Sequence, residues 1–251
     1  MIKGLYISVS LFILQFAVNP FVQAENSHHD NSMTVTECTP DRKELPADYS
    51  FASLYDSLQL ELSGLSREAF DLALRGREKL LGDGLLQNDS VIAIVDFSQP
   101  SSRKRLYILD LFHSQMLFNT LVAHGRNSGT EIATHFSNRP SSYQSSPGLY
   151  VTGLVYQGSN GYSLKLQGVE KGINDKAMQR AIVMHGAPYV NESFIAARGY
   201  LGRSMGCPAV PVAEARSIIN TLRDGACLYI YTPDKKYSSR SVLLKDFSED
   251  S

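Results

Sequence analysis

One cysteine of this sequence lies in a setting that favours nucleophilic chemistry. Cys207 follows Gly206 and precedes Pro208, and an apolar helical pattern begins a few residues later. The reactive form of cysteine is the thiolate, which helix N-termini and cations stabilise, and Arg203 is four residues upstream. Gly206 puts no side chain in a substrate's way, and a turn here would aim the N–H groups of Gly206 and Cys207 at a developing oxyanion. The local sequence fits a buried structural cysteine equally well.

Two histidines stand where apolar runs end. His185 follows the run 181–184 and precedes Gly186, so we expect its side chain to face a cleft. Imidazole is the usual base for a cysteine near neutral pH, and we interpret His185 as the base for Cys207. His124 has a similar context, and we assign it to the wall of the same cleft. A core histidine satisfied by backbone groups is the alternative at each position.

A zinc site is a competing interpretation. His124, His185 and Cys207 are all possible zinc ligands, but the sequence around them contains none of the closely spaced ligand pairs typical of zinc. It also contains no phosphate-binding glycine loop and no nucleophilic-serine elbow. The sequence therefore favours a cysteine enzyme over a zinc site at these residues.

The composition is that of a globular protein without a charged partner surface. The chain has 251 residues, of which 43% are hydrophobic and 20% charged, enough for a sizeable core. The formal net charge is −1, and no polybasic block occurs. These features argue against a nucleic-acid partner and against a membrane surface as partner.

The first residues have the pattern of an export signal. Lys3 precedes an apolar stretch at 5–18, and small residues, Val22 and Ala24, stand three and one before a possible cleavage point. This pattern predicts a signal peptide over 1–24 and a mature protein without an integral membrane span, in the periplasm or otherwise outside the cytoplasm. The alternative is an uncleaved N-terminal anchor.

Two cysteines remain if Cys207 is the nucleophile. A bridge between Cys38 and Cys227 is then the one disulfide allowed in an oxidising compartment. Cys227 lies in the apolar run 226–230, where the interpretation as a small core residue is favoured over a bridge.

The elements that must position these residues follow from the hydrophobic pattern. Residues 25–45 indicate a linker, and 46–85 a helical appendage in which Leu54, Leu58 and Leu62 recur at helical spacing. A second helix is expected to begin after the N-cap Ser66 and to stop near Gly82.

Residues 86–232 predict the catalytic domain. Short apolar runs alternate there with Gly, Ser, Asn and Pro clusters, which is typical of a mainly β sandwich or barrel. One helix follows Cys207, because apolar residues between 212 and 222 share a helical face. Residues 233–251 are polar and predict a frayed C-terminal tail.

Four blocks in order resemble the L,D-transpeptidases, the YkuD-like family. His185-Gly186 is followed by Ser204-Met205-Gly206-Cys207, and the remaining blocks are Asp96-Phe97-Ser98, Ala123 to Gly129 and Phe136-Ser137-Asn138. With Ser146-Pro147-Gly148-Leu149-Tyr150, they are most similar to the murein L,D-transpeptidase catalytic domain subgroup. The resemblance covers roughly residues 66–232.

The resemblance implies acyl transfer on the stem peptides of peptidoglycan, a reaction that requires no cofactor. Cys207 would attack the carbonyl between the third residue and the terminal D-alanine, His185 would take the thiol proton, and a thioester would form. Gly206 and Ser204 would complete the catalytic group. Arg203, His124, Gly186 and Arg126 would contact substrate, and Tyr143, Tyr150 and Tyr189 are further candidates for the cleft, although core filling explains each tyrosine as well.

The sequence departs from the family pattern on both sides of the cysteine. Met205 stands where many members have His, and Pro208-Ala209 where many have Ile/Val-Arg. Arg203 or Arg126 would have to replace that arginine. Two other functions therefore stay open: an L,D-carboxypeptidase that uses water as acceptor, and a catalytically silent wall-binding module with the same fold. The sequence does not indicate an oligomeric state.

Overall fold

The computed structural model describes residues 51–245. The helices are α1 (Phe51–Ser57), α2 (Arg67–Gly82), α3 (Glu192–Arg198), α4 (Val212–Leu222), α5 (Lys235–Ser238) and α6 (Val242–Lys245). The strands are β1 (Asn88–Asp96), β2 (Leu106–Asp110), β3 (Gln115–Thr120), β4 (Gly148–Gly158), β5 (Gly161–Gly168), β6 (Val183–Ala187), β7 (Ala209–Pro211) and β8 (Ala226–Tyr231). The predicted signal peptide and linker lie outside the described residues, as does Cys38.

The eight strands form one sheet in the order β3-β2-β1-β8-β4-β5-β6-β7. Most neighbours are antiparallel, but β1 pairs with β8 and β6 with β7 in parallel. The two ends of the sheet meet, because the N–H of Ala123, just after β3, donates to the carbonyl of Ala209 in β7 over 2.8 Å. The sheet is therefore a nearly closed barrel, and the prediction of a mainly β fold is confirmed.

Both faces of the central strands are buried, because successive side chains of a strand point to opposite faces. In β1, Ala93 and Val95 join a core that contains the apolar face of α4, whereas Ile92 and Ile94 join a second core against α1 and α2. This explains why β1 and β8 read as continuous apolar runs rather than as alternating patterns.

Of the two predicted N-terminal helices, the second agrees better with the sequence pattern. The Ser66 side chain accepts from the N–H of Ala69 and caps α2, which ends at Gly82 as expected. The first helix is shorter than predicted: α1 ends at Ser57, turns follow, and Leu62 is largely exposed. Gln59 has φ +50°, a left-handed conformation that breaks the leucine repeat. Both helices share a core with the sheet.

The C-terminal segment is more ordered than a polar pattern suggested. Residues 235–245 contain α5 and α6, and the side chains of Tyr237 and Leu244 are buried. The hydroxyls of Tyr237 and Ser241 both donate to the carboxylate of Glu170, which fastens the segment to the barrel. Up to residue 245, the expectation of a frayed tail is therefore corrected.

Helices that could cross a membrane are not present in the part of the chain that the structure describes.

Candidate active site

Cys207 ends a tight turn that begins at Ser204. The Ser204 hydroxyl donates to the carbonyl of Cys207 over 2.6 Å and accepts from the N–H of Gly206 at 3.0 Å. Gly206 has φ +124°, a conformation that L side chains rarely adopt, and an added Cβ would lie 2.8 Å from the carbonyl oxygen of Gln144. The turn therefore requires glycine at 206 and a short hydroxyl side chain at 204.

The backbone of residues 124–126 fixes this turn from the other side. The N–H of Ser204 donates to the carbonyl of His124 over 2.9 Å, and its carbonyl accepts from the N–H of Arg126 at 2.8 Å. These two bonds form a short parallel bridge between Gly125 and Ser204. The sequence blocks at 123–129 and at 204–207 are thus joined directly in space.

His185 lies on the strand next to the one that Cys207 leads into. In the parallel pair β6 and β7, His185 is opposite Ala209, two residues after Cys207. The imidazole Nδ1 lies 3.0 Å from the carbonyl oxygen of Gly186. Because a carbonyl only accepts, Nδ1 carries the proton of the neutral ring and Nε2 is the basic nitrogen.

The Cys207 thiol is almost fully buried, at 8% exposure. Its Sγ lies 3.7 Å from the carbonyl oxygen of Ala181. Burial raises the pKa of the thiol, although a hydrogen bond from Val183 and the positive charge of Arg180 oppose this effect. Burial also lowers the pKa of His185, against the hydrogen bond to Gly186. At neutral pH the two side chains are therefore an uncharged thiol and an uncharged imidazole.

His124 does not line a cleft, which corrects the sequence-based expectation. It is completely buried, its Nδ1 lies 2.8 Å from Nη2 of Arg105, and its Nε2 lies 3.2 Å from the carbonyl oxygen of Gly129. Burial and the charge of Arg105 lower its pKa to about 4. With both ring nitrogens engaged, this histidine holds the chain next to the Cys207 turn and has no free nitrogen for a substrate.

The two arginines predicted to contact substrate lie near the turn in different roles. Arg203 Nη1 donates to the carbonyls of Arg126 and Gly129, over 3.3 and 3.0 Å. The guanidinium of Arg126 instead stacks on the ring of Tyr143, 4.3 Å from its centroid, at the protein surface. Arg126 is therefore the better placed of the two to meet a ligand.

Gly186 has a packing role, and its contact with substrate stays a prediction. A Cβ on Gly186 would lie 2.9 Å from the Cβ of Ala215 and 3.3 Å from the Cα of Val212, both in α4. The absence of a side chain lets α4 approach β6, the strand that carries His185.

The three candidate tyrosines separate by depth. Tyr150 is fully buried and donates to the carbonyl of Ser146 over 2.9 Å, so it is a core residue. Tyr189 is half-buried, and burial together with the negative charge of the Cys207 thiolate raises its pKa to about 12. Tyr143 supports Arg126 at the surface. Tyr189 is thus a partly exposed tyrosine that lies close enough to Cys207 for the thiolate charge to raise its pKa.

Sequence reasoning missed two residues that tie this region together. The buried Ser145 hydroxyl accepts from the N–H of Gly125 and donates to the carbonyl of Gly206, over 3.0 and 3.2 Å. Arg180 donates to the carbonyls of Ser137 and Gln144, over 2.8 and 2.6 Å. The one sequence signal was that Ser145 directly precedes the Ser146-Pro147-Gly148 block. Serine and arginine are both common on protein surfaces, so their residue types gave no further signal.

Cys227 is a fully buried free thiol in the core beneath α2. Burial raises its pKa to about 12, so it is unreactive at neutral pH. In residues 51–245, no group of three or more His, Cys, Asp or Glu side chains is arranged to hold a metal ion.

The match to a known family covers the barrel and both residues of the candidate pair. The sequence profile of the L,D-transpeptidase catalytic domain matches residues 61–231, well over half of the chain. The chain belongs to this family. The resemblance seen in the sequence blocks is thereby confirmed. No curated protein matches the sequence.

Solved structures with related folds are distant in sequence. An L,D-transpeptidase from Mycobacterium smegmatis is 10% identical with a TM-score of 0.36, covering 57% of this chain and 59% of its own. One from Stackebrandtia nassauensis is 14% identical with a TM-score of 0.33, covering 66% and 67%. The helical cell shape determining protein Pgp2 from Campylobacter jejuni is 13% identical with a TM-score of 0.40, covering 73% and 63%. The chain thus spans 59% of the M. smegmatis protein.

Proposed function

We propose that the protein is an L,D-transpeptidase that acts on peptidoglycan stem peptides through a thioester on Cys207. The observation that supports this proposal most strongly is the pairing of strands β6 and β7, which brings the Cys207 turn beside His185 with Nε2 of the imidazole as its basic nitrogen. Membership of the L,D-transpeptidase catalytic domain family supports the same reaction class.

In the proposed reaction, His185 Nε2 takes the thiol proton while Sγ bonds to the carbonyl carbon of the donor stem. The tetrahedral oxyanion then collapses, the bond to the terminal D-alanine breaks, and the imidazolium returns the proton to the leaving amine. An amine of a second stem attacks the thioester and gives its proton to His185. The carbon–sulfur bond then breaks as the new amide bond is completed, and the imidazolium returns the proton to the Cys207 thiolate.

The oxyanion is assigned to one backbone donor instead of two. The N–H of Gly206 already donates to the Ser204 hydroxyl, so it is not free for this task as the sequence analysis had assumed. The N–H of Cys207 keeps the role in our proposal. Ser204 and Gly206 contribute by holding the turn that points this N–H at the substrate.

The missing arginine after the cysteine is replaced in our proposal by Arg126. Its guanidinium is exposed, packs on Tyr143, and belongs to the segment bonded to Ser204. Arginine forms paired hydrogen bonds with carboxylates, and stem peptides are rich in carboxylates. Arg203 supports this segment through Gly129, and we assign it to the edge of the same substrate site.

Export is part of the proposal and rests on the sequence alone. A stem-peptide substrate lies outside the cytoplasm, which agrees with the signal-peptide pattern in residues 1–24. Fractionation of cells that express the full chain tests it. We expect the protein in the extracytoplasmic fraction, shortened by cleavage after Ala24, and a full-length protein confined to the cytoplasm would contradict export.

The direct test is the mass of the protein after incubation with a carbapenem, an acyl donor that the family tends to accept. We expect a covalent adduct on Cys207 in the wild type and none in Cys207→Ala, while Cys227→Ala behaves as the wild type because its thiol is buried. An absent adduct in the wild type would favour the silent wall-binding module.

A second measurement separates transfer from hydrolysis. The protein is incubated with purified muropeptides, and the products are identified by mass spectrometry. Crosslinked dimers that depend on Cys207 are expected for a transpeptidase. Trimmed tripeptides without dimers would instead establish the L,D-carboxypeptidase.

A further inference from the structure

Arg180 lies against the turn that carries the reactive cysteine. Its Nη2 is 3.3 Å from the position that a Cβ on Gly206 would occupy, so the guanidinium touches the open face of that glycine. The residue after it, Ala181, provides the carbonyl oxygen 3.7 Å from Sγ of Cys207. Two consecutive residues therefore contact the turn and the thiol.

The hydrogen bonds of Arg180 go to the protein. Nη1 donates to the carbonyl of Ser137 and to the hydroxyl of Ser146, and Nη2 donates to the carbonyl of Gln144 and the hydroxyl of Ser142. A guanidinium has five N–H donors, so these bonds use four of them. The remaining donor cannot form the paired contact by which arginine recognises a carboxylate. Arg180 is thus built to act through its neighbours and not as a substrate ligand.

The backbone conformation of Ala181 indicates that its surroundings hold its carbonyl oxygen against the Cys207 thiol. Ala181 has φ +53°, a left-handed conformation that is strained for an alanine. That conformation accompanies the turn of its carbonyl toward Cys207, just before the chain enters β6. A strained residue persists only where its surroundings hold it, and the four hydrogen bonds of Arg180 supply that restraint on one side.

We propose that Arg180 is a positioning residue for Cys207, which clamps the 137–146 segment onto Gly206 and keeps a fixed positive charge beside the thiol. The inference rests on the proposed function, because it takes Cys207 as the nucleophile. This role differs from the one proposed for Arg126, which meets the substrate, because Arg180 acts on the turn and on the thiol. Its effect is on the orientation and ionisation of the thiol.

Three other titratable side chains around the Cys207 turn are neutral at pH 7. Burial raises the pKa of Tyr150 and of Tyr189, and it lowers the pKa of His185. Arg180 is the cation that lowers the pKa of Cys207, together with a backbone hydrogen bond. A folded variant without the Arg180 charge should therefore have a less stable Cys207 thiolate.

The test is the rate at which iodoacetamide alkylates Cys207 in the full chain, measured against pH and located by peptide mass spectrometry. In Arg180→Met, we expect the midpoint of the rate profile to move up by about one pH unit, since a cation close to a thiol lowers its pKa by about that much or more. Arg139→Met removes an exposed arginine of the same segment and should leave the midpoint unchanged. An unchanged midpoint in a folded Arg180→Met would overturn the inference.

A second variant tests the clamp and also covers the case in which Arg180→Met does not fold. Arg180→Lys keeps the charge but, with a single nitrogen, cannot reproduce the paired bonds from Nη1 and Nη2. We expect its acylation by a carbapenem to be about tenfold slower than in the wild type, with a midpoint closer to the wild type than that of Arg180→Met. If Arg180→Lys were acylated at the wild-type rate, the proposed clamp would be overturned. If the wild type forms no carbapenem adduct, the proposed function fails, whereas the alkylation profiles still decide the role of Arg180.

Discussion

At the scale of single residues, Cys207 and His185, the pair proposed to react, are both uncharged before a substrate arrives. Burial raises the pKa of Cys207 and lowers that of His185, so neither residue is ionised at neutral pH. A thiolate–imidazolium pair would instead require both pKa shifts in the opposite directions. In the proposed reaction, proton transfer from sulfur to Nε2 therefore belongs to the attack on the substrate, and the imidazole acts as a general base.

Because the thiol is uncharged at neutral pH, we expect His185→Gln to have different effects on two reactions of the same thiol. Acylation by a carbapenem at pH 7 should fall by about 10²- to 10⁴-fold, the usual contribution of a general base. Alkylation by iodoacetamide at pH 10 should be nearly unchanged, because hydroxide then removes the proton. Both rates are followed by intact mass. The control is His135→Gln, an exposed histidine; equal losses in the two reactions would point to a damaged fold instead.

The turn at Ser204 gives a second prediction at this scale. In Ser204→Ala, the N–H of Gly206 and the carbonyl of Cys207 both lose a partner in a buried turn. Leaving buried polar groups unpaired costs about 1–3 kcal/mol of folding free energy, and we expect a loss in that range by urea denaturation. Ser159→Ala, in the exposed turn between β4 and β5, should change stability by less than about 0.5 kcal/mol. A loss at Ser204 no larger than at Ser159 would contradict the role of the hydroxyl.

At the scale of elements, the sequence predicted what periodicity and burial encode. The long apolar runs identified β1 and β8, and the apolar face of α4 is buried as expected at Ala215, Ile218, Ile219 and Leu222. It missed β7, which has three residues and is too short for a pattern, and α3, in which no residue is buried. Neither element has a local pattern from which it could be predicted. The omission matters for β7, because this strand aligns Cys207 with His185.

Contacts made at long range were equally hidden. Cys207 and His185 could be singled out because their types and flanking glycines imply chemistry. Arg180 could not, since its four acceptors lie 34 to 43 positions away in sequence and form no local motif. The buried histidine at 124 was misassigned for the same reason, because its partner Arg105 lies 19 positions away in sequence, just before β2.

The contact between β6 and α4 predicts a strong effect of a small change. In Gly186→Ala, the new Cβ would meet the Cβ of Ala215 at 2.9 Å, closer than real contacts allow, so α4 must move. Overpacking of this kind costs about 1–3 kcal/mol, and we expect a lower urea midpoint and slower acylation because His185 adjoins Gly186. Gly82→Ala is the matched control, because nothing lies within 4 Å of its added Cβ. If Gly186→Ala were as stable as Gly82→Ala, α4 would have moved without a cost in stability, and the prediction would be wrong.

At the scale of the whole molecule, the barrel is closed beside the site by a buried cation and a buried imidazole. Arg105 is fully buried, donates to the carbonyls of Val122 and Gln99, and contacts His124. Burial lowers its pKa to about 9, so it remains charged at neutral pH. The backbone of His124 in turn holds Ser204. Protonation of His124 would place a second positive charge against Arg105 in this interior.

The global consequence is a loss of stability in mild acid that depends on one residue. His124 has a pKa of about 4 in the folded protein against an ordinary value of 6.5, so the unfolded chain binds more protons between these values. Its contribution is fully present above pH 6.5 and is lost as the pH falls toward 4, on the order of 3 kcal/mol in all. His124→Gln can keep both hydrogen bonds without titrating. We expect it to be less stable than the wild type at pH 7 but to lose less stability from pH 7 to pH 4.

The measurement is urea denaturation of both proteins at several pH values across that window. Comparing the two slopes cancels the other titrating groups, such as His185, whose lowered pKa acts in the same direction, and Glu170, whose raised pKa acts in the opposite one. His135→Gln should keep the wild-type slope, since that histidine is exposed. Parallel curves for the wild type and His124→Gln would mean that His124 is already protonated beside Arg105, and the barrel closure would then have to tolerate two buried positive charges in contact.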